Sequence, residues 1–291
     1  MNSPLFTGAC TALVTPFLDG RVNYPMMEML LKRQIDAGIK AVVICGTTGE
    51  SPTLSDNEKL ELFCRCKAYA GKDCMIIAGT GSNNTAHAVE LSIAAQEEGA
   101  DALLVVSPYY NKATPDGLYA HYLSIAHSVT IPLIIYNVPG RTGVDIPVSV
   151  CKKLSSIGNI AGIKEASSDI TKITKIKCVC HPDFGVWSGN DDQIVPVMSL
   201  GGNGVISVLS NVVPVQTQVM VNAALAGDFD TAAAIQRKLQ PLVELLFCEV
   251  NPIPVKTAMK LIGYDCGSCR LPLTDLSPEK ASKLKDVLSE L

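Results

Sequence analysis

Residues 160–167, IAGIKEAS, end a short apolar run on a lysine. A run of that length, bounded by turn residues, reads as a strand buried on both faces. Seven further runs repeat the form: CTALVTPF (10–17), AVVICGTTG (41–49), CMIIAGTGS (74–82), ALLVVSPYY (102–110), LIIYNVPG (133–140), FGVWSGND (184–191) and GVISVLSN (204–211). Segments with helical spacing lie between them, among them 26–38, 55–71, 85–100 and 115–129, several opening on Ser, Asp or Thr and closing on Gly. Strand and helix alternating in this way predict an α/β fold, a (β/α)8 TIM barrel over residues 1–224. A doubly wound open sheet is the competing architecture. It normally carries GxGxxG after its first strand, and ALVTPFLDGR has no such turn. From 225 to 291 the apolar runs stop and the pattern is helical (228–247, 253–263, 277–291), which predicts a C-terminal helical domain appended to the catalytic barrel.

Composition narrows the function classes. Of 291 residues 47% are hydrophobic and the net charge is -4, with both signs mixed along the chain, so neither a nucleic-acid stripe nor a polybasic membrane anchor is expected. The first residues lack a basic region followed by an apolar one, and no apolar stretch approaches ~18 residues, which predicts a cytoplasmic protein. The 11 cysteines are an odd number and read as reduced thiols that pack as small apolar groups. Cys266 and Cys269 form one CxxC without a second, and CVCH at 178–181 is poorly spaced to complete it, so no metal is expected. His87, His121, His127 and His181 read as structural or surface residues.

In such barrels chemistry sits at the C-terminal ends of the strands. Here those ends supply Thr47 and Thr48, Tyr109 and Tyr110, Tyr136, Lys164, and Asn190 with Asp191. For any one of them the plainer reading is a strand leaving for solvent. Lys164 bears more weight. An ammonium pressed into a barrel mouth loses hydration, which favours the neutral, nucleophilic amine, and such an amine forms a Schiff base with a ketone. A 2-oxo acid bound this way becomes an enamine able to attack an aldehyde, with no metal needed. The alternatives are a lysine that snorkels to water or one paired with Glu165, although adjacent strand residues face opposite ways. Tyr136 ends the preceding strand and suits proton transfer. The GTTGES loop (46–51) and Arg141 offer sites for carboxylates.

The motifs GTTGES, SPYYNK, YNVPGRTG, GIKEAS, SGND, GVISV and NPIPVK occur in this order across nearly the whole chain. In them the sequence resembles the dihydrodipicolinate synthase (4-hydroxy-tetrahydrodipicolinate synthase) family of the pyruvate-dependent, class I aldolase-like superfamily, which also contains N-acetylneuraminate lyase and 2-keto-3-deoxy sugar-acid aldolases. The resemblance implies a lyase that condenses pyruvate with L-aspartate 4-semialdehyde in lysine and diaminopimelate biosynthesis. No cofactor is implied beyond the covalent pyruvate imine. Carried over by position, it implies Lys164 as the Schiff-base lysine and Tyr136 as a proton relay, linked through Thr47 to Tyr110 of the partner subunit. Thr48 would bind the pyruvate carboxylate, Ile206 would line that pocket through its backbone, and Arg141 would receive the carboxylate of the semialdehyde. Arg141 and the second threonine of the loop favour this member over the sugar-acid aldolases. A homotetramer built as a dimer of dimers is implied. So is an allosteric lysine site at Ser51, Asp56, Lys59, Asn83, His87 and Tyr109. Asp56, Lys59 and His87 depart there from the usual His, His and Glu, so lysine inhibition is expected to be weak or absent.

Overall fold

The computed structural model describes residues 4–291. Eight parallel strands close into a barrel. They are β1 (Gly8–Ala12), β4 (Ala41–Ile44), β5 (Met75–Gly79), β6 (Ala102–Val106), β7 (Leu133–Asn137), β8 (Ile160–Glu165), β9 (Gly185–Ser188) and β10 (Gly204–Ser207), and β10 returns to pair with β1. The two remaining strands, β2 (Phe17–Leu18) and β3 (Arg21–Val22), form an antiparallel hairpin after β1. The first apolar run extends to residue 17, but the strand ends earlier. The chain instead leaves the barrel after Ala12 and turns at Asp19–Gly20, both at positive φ.

Helices α1 (Tyr24–Asp36), α2 (Asp56–Ala70), α3 (Thr85–Glu97) and α4 (Pro115–Ser128) follow the first four barrel strands. The second half is covered by α5 (Pro139–Thr142), α6 (Val148–Leu154), α7 (Ile170–Val179), α8 (Ile194–Ser199) and α9 (Pro214–Leu225). The starts are capped by Ser, Thr and Asp as the sequence suggests, and at α1 and α3 by Asn. Ser55 and Glu58 close a capping box on α2, and Asn23, Asn84, Thr114 and Asp169 each accept from a backbone N–H of the first turn. Three helices follow, α10 (Phe229–Leu246), α11 (Ile253–Leu261) and α12 (Pro278–Ser289). None of the described helices is long and apolar enough to cross a membrane.

Side-chain alternation divides the core in two. Cys10, Ala12, Val43, Ile77, Leu104, Ile134, Trp187 and Ile206 fill the barrel interior, while Val42, Ile76, Leu103, Leu133, Ile135 and Ile163 pack outward beneath the helices. Trp187 is fully buried, stacks on Phe6 with centroids 4.7 Å apart, and donates its indole N–H to the Phe6 carbonyl. A Cβ on Gly185 would lie 2.4 Å from the Trp187 ring, so the large side chain is accommodated by a missing one. Of the cysteines, all free, Cys10, Cys45, Cys66, Cys74, Cys151 and Cys266 are buried, and burial pushes the Cys66, Cys74, Cys151 and Cys266 thiols up to about 12. They sit as small apolar fillers.

Candidate active site

Register places the central pair. In the β7–β8 ladder Tyr136 stands opposite Lys164, and both point into the barrel; the next pair, Asn137 and Glu165, points outward. Lys164 Nζ lies 4.3 Å from the centroid of the Tyr136 ring, and the two residues are 5% and 6% exposed. No carboxylate pairs with Lys164 among the described residues. Its stem is accommodated by Gly189, where a Cβ would approach Lys164 Cε to 3.1 Å. The Lys164 side chain is therefore buried, backed by an aromatic face, and free of the ion pair that would hold it as a structural cation.

Behind it the arrangement is the reverse. Glu165 accepts from Asn137 Nδ2 at 2.9 Å and from the Ser167 N–H at 2.7 Å, and its carboxylate lies 3.4 Å from Lys172 Nζ. Lys172 also bonds Asp145, and the Asn137 side-chain oxygen Oδ1 accepts from Ile146 N. Asn137, Glu165 and Lys172 are thus all paired, so the strand ends that carry Tyr136 and Lys164 are pinned from outside.

A cavity of about 60 Å³ at the mouth is lined by Thr47, Thr48, Tyr136, Arg141, Lys164, Asn190 and Asn251. A wider cleft of about 600 Å³ shares Thr47, Tyr136 and Arg141 with it and continues to Ser51, Asp56, Lys59, His87 and Tyr109. Thr47 is half-buried, Thr48 is buried, and Arg141 is exposed on α5 with its guanidinium free of any ion pair among the described residues. The loop carrying the threonines approaches β5 so closely that a Cβ on Gly79 would come within 2.2 Å of the Cys45 carbonyl oxygen. Asp191 is buried behind the mouth and accepts from the Val208 and Leu209 N–H groups at 2.9 and 2.8 Å; burial pushes its carboxyl up from the usual range.

Of the seven residues to which the resemblance assigns a catalytic or substrate-binding role, five thus converge: Lys164, Tyr136, Thr47, Thr48 and Arg141. Two do not. Tyr110 is 86% exposed in a left-handed conformation (φ 76°) and borders neither cavity. Ile206 is fully buried in the barrel interior and also borders neither; Val208, two residues on, does line the smaller one. In the second cluster, Asp56 is the hub. His87 Nε2 lies 2.8 Å from one of its oxygens and Lys59 Nζ 3.3 Å from the other, while Asn83 bonds the Tyr109 carbonyl at 3.3 Å. The His87 hydrogen bond, aided by Lys59, holds the Asp56 carboxyl below the usual range.

Sequence reasoning missed the far side of the mouth. Asn251 Nδ2 lies 3.0 Å from Thr48 Oγ1, and Lys256 forms a buried ion pair with Glu50 at 2.9 Å. The Arg270 N–H donates to the other Glu50 oxygen at 2.8 Å. Polar residues in the otherwise apolar NPIPVK segment were the available signal.

Residues 5–291 match the Dihydrodipicolinate synthetase family. The chain is 48% identical over 290 residues to a 4-hydroxy-tetrahydrodipicolinate synthase of Acetivibrio thermocellus, covering 100% of this chain and 99% of that protein. Among solved structures it resembles dihydrodipicolinate synthase from Aquifex aeolicus, with TM-score 0.97, 45% identity and 98% of each chain covered. It is similar also to the chloride-inhibited dihydrodipicolinate synthase from Acinetobacter baumannii complexed with pyruvate, with TM-score 0.96, 42% identity and 98% of each chain covered. With the barrel, the order of its motifs and the convergence at the mouth in agreement, the chain belongs to the dihydrodipicolinate synthetase family.

Proposed function

We propose that the chain is a 4-hydroxy-tetrahydrodipicolinate synthase that joins pyruvate to L-aspartate 4-semialdehyde through an imine at Lys164. The observation that carries this reading is a buried lysine without a carboxylate partner, set against a tyrosine in a cavity that also holds two threonines and a free arginine. The Lys164 amine adds to C2 of pyruvate, and loss of water gives the imine, with Tyr136 and Thr47 moving the protons. Thr48 donates to the pyruvate carboxylate. Removal of a methyl proton gives the enamine, whose carbon attacks the aldehyde of the second substrate while Arg141 holds that substrate's carboxylate. The substrate's own amine then displaces Lys164 by transimination, so ring closure frees the enzyme. No metal or cofactor takes part in this scheme. Ile206 is assigned only the backbone role that the family resemblance implies.

Tyr110 enters the relay only from the partner subunit, in an oligomer of the homotetramer type; its exposure in the single chain supports that placement. Gel filtration that returns a fully active monomer would sink it. For the lysine site, an Asp56 already engaged by His87 and Lys59 supports weak or absent inhibition, because a bound ammonium would meet a neutralised carboxylate and a like charge. Inhibition by sub-millimolar lysine would overturn that. We place residues 225–291 as a C-terminal helical domain, and the protein in the cytoplasm.

The deciding assay follows pyruvate and L-aspartate 4-semialdehyde through a coupled reductase, beside Arg141→Ala. The expected result is turnover in the parent and a loss of about 10²-fold in kcat/KM for the semialdehyde in the variant, with borohydride trapping of pyruvate at Lys164 intact. Trapping without turnover in the parent would move the acceptor to a sugar-derived aldehyde.

A further inference from the structure

We infer that Asn251 is a positioning residue for the first substrate: its amide fixes the Thr48 hydroxyl as a donor toward the carboxylate. This rests on the reading of Thr48 as the pyruvate carboxylate ligand. Asn251 and Thr48 are 4% and 3% exposed, and Nδ2 to Oγ1 is 3.0 Å. Both border the cavity into which Lys164 opens. A hydroxyl carries one proton and two lone pairs. With an Asn251 N–H on a lone pair, the Thr48 proton is directed elsewhere, and no other hydrogen bond takes it among the described residues.

The amide has no internal reason for this orientation. Asn251 Oδ1 is buried and unpartnered, and turning the amide over would pair Oδ1 with the Thr48 proton and leave Nδ2 unpartnered instead. A carboxylate beside Thr48 breaks the tie, because only the Nδ2-to-Oγ1 arrangement keeps a proton for it. The flipped form would present lone pairs to an anion.

The support comes from outside the barrel. Asn251 precedes α11, and five residues later Lys256 holds Glu50, two residues beyond Thr48, at 2.9 Å; both side chains of this pair are at most 3% exposed. Glu50 sits in a left-handed conformation (φ 56°) and also accepts the Arg270 N–H. The segment that would read the substrate's carboxylate is thus fastened at two points by residues more than 200 positions away. Thr48 gains its polarity from one of these points and its place from the other.

The test is borohydride trapping at Lys164 with pyruvate and with acetone, which lacks the carboxylate, together with steady-state kinetics for Asn251→Asp and Asn251→Ala. Asp is nearly isosteric but accepts the Thr48 proton. We expect Asn251→Asp to raise half-saturating pyruvate at least about tenfold and Asn251→Ala about threefold. Acetone trapping and the KM for the aldehyde should stay within about twofold. Equal losses for acetone and pyruvate would mean a merely structural role and overturn the inference. A shift confined to Asn251→Asp would report charge repulsion alone and overturn it too. If neither variant moves pyruvate while Thr48→Val does, the inference falls and the Thr48 reading stands. If Thr48→Val is also silent, both fall.

Discussion

Lys164 and Lys172 are buried to the same degree, 5% and 4% exposed, yet their surroundings are opposites. Lys172 meets two carboxylates, Asp145 and Glu165; Lys164 meets an aromatic face and a cavity. The alternation of one strand accounts for the contrast. Glu165 is the residue next to Lys164 and the nearest acid in sequence, but the pleat turns it outward, where it serves Lys172 instead. Burial alone therefore says little about what a lysine does. A buried cation with its partners is part of the scaffold, and one left without them is available for chemistry.

The same substitution at both positions gives the largest effects and separates the two roles. Lys164→Met removes the amine but orphans no carboxylate, so turnover should fall on the order of 10⁴-fold or more while the urea midpoint hardly moves. Lys172→Met leaves Glu165 buried beside an unbalanced charge, and should lower stability by about 3–5 kcal/mol. The fraction that stays folded should still form the pyruvate adduct. Denaturation curves and adduct mass per folded molecule check both. A Lys164→Met protein that unfolds like Lys172→Met would break the comparison.

A smaller effect sharpens it from the tyrosine side. Tyr136→Phe keeps the ring against Lys164 and loses only the hydroxyl, which makes no hydrogen bond among the described residues. Stability should be nearly unchanged, and turnover should drop by about 10²–10⁴-fold if the phenol moves protons. Single-turnover kinetics with pyruvate alone would locate the loss: imine formation should be slowed, with the final extent of trapping preserved.

These contrasts also mark what the sequence can reveal. The barrel strands were legible because each is a short apolar run closed by turn residues, and Lys164 was legible because it interrupts one. Pairing Tyr136 with Lys164 followed from strand order alone. The hairpin at Phe17–Val22 was not legible, since two-residue strands carry no periodicity. Nor were the contacts of Asn251 and Lys256 with the threonine loop. They bridge 203 and 206 positions, and a polar residue at the head of a helix or within it gives no sign of which distant loop it will meet. Ile206 and Tyr110 show the converse limit. Their places in a motif were readable, but where their side chains point depends on the barrel interior for one and on the exposed loop after β6 for the other.

The smallest expected effect comes from a third cation, Arg270, whose pairing is neither buried nor absent. It bonds Glu58 at 2.9 Å, with the two side chains 22% and 25% exposed. Arg270, followed by the Ser55 backbone of the capping box, draws the Glu58 carboxyl down to about 2, against an ordinary value near ~4.3 in an unfolded chain. Because the folded value is the lower one, the pair stabilises fully above about pH 4.5, and the contribution is lost as pH falls toward about 2. Solvent screening keeps its size to about 1 kcal/mol or less. Glu58→Gln should therefore lower the urea midpoint slightly at pH 7, and the gap between the two proteins should narrow as pH drops from 4.5 to 3. A gap that stays constant through that range would mean that Arg270 contributes packing against Phe17, whose ring centroid lies 4.4 Å from its guanidinium carbon, rather than charge. A partly exposed pair would then belong with the scaffold for a reason different from that of Lys172.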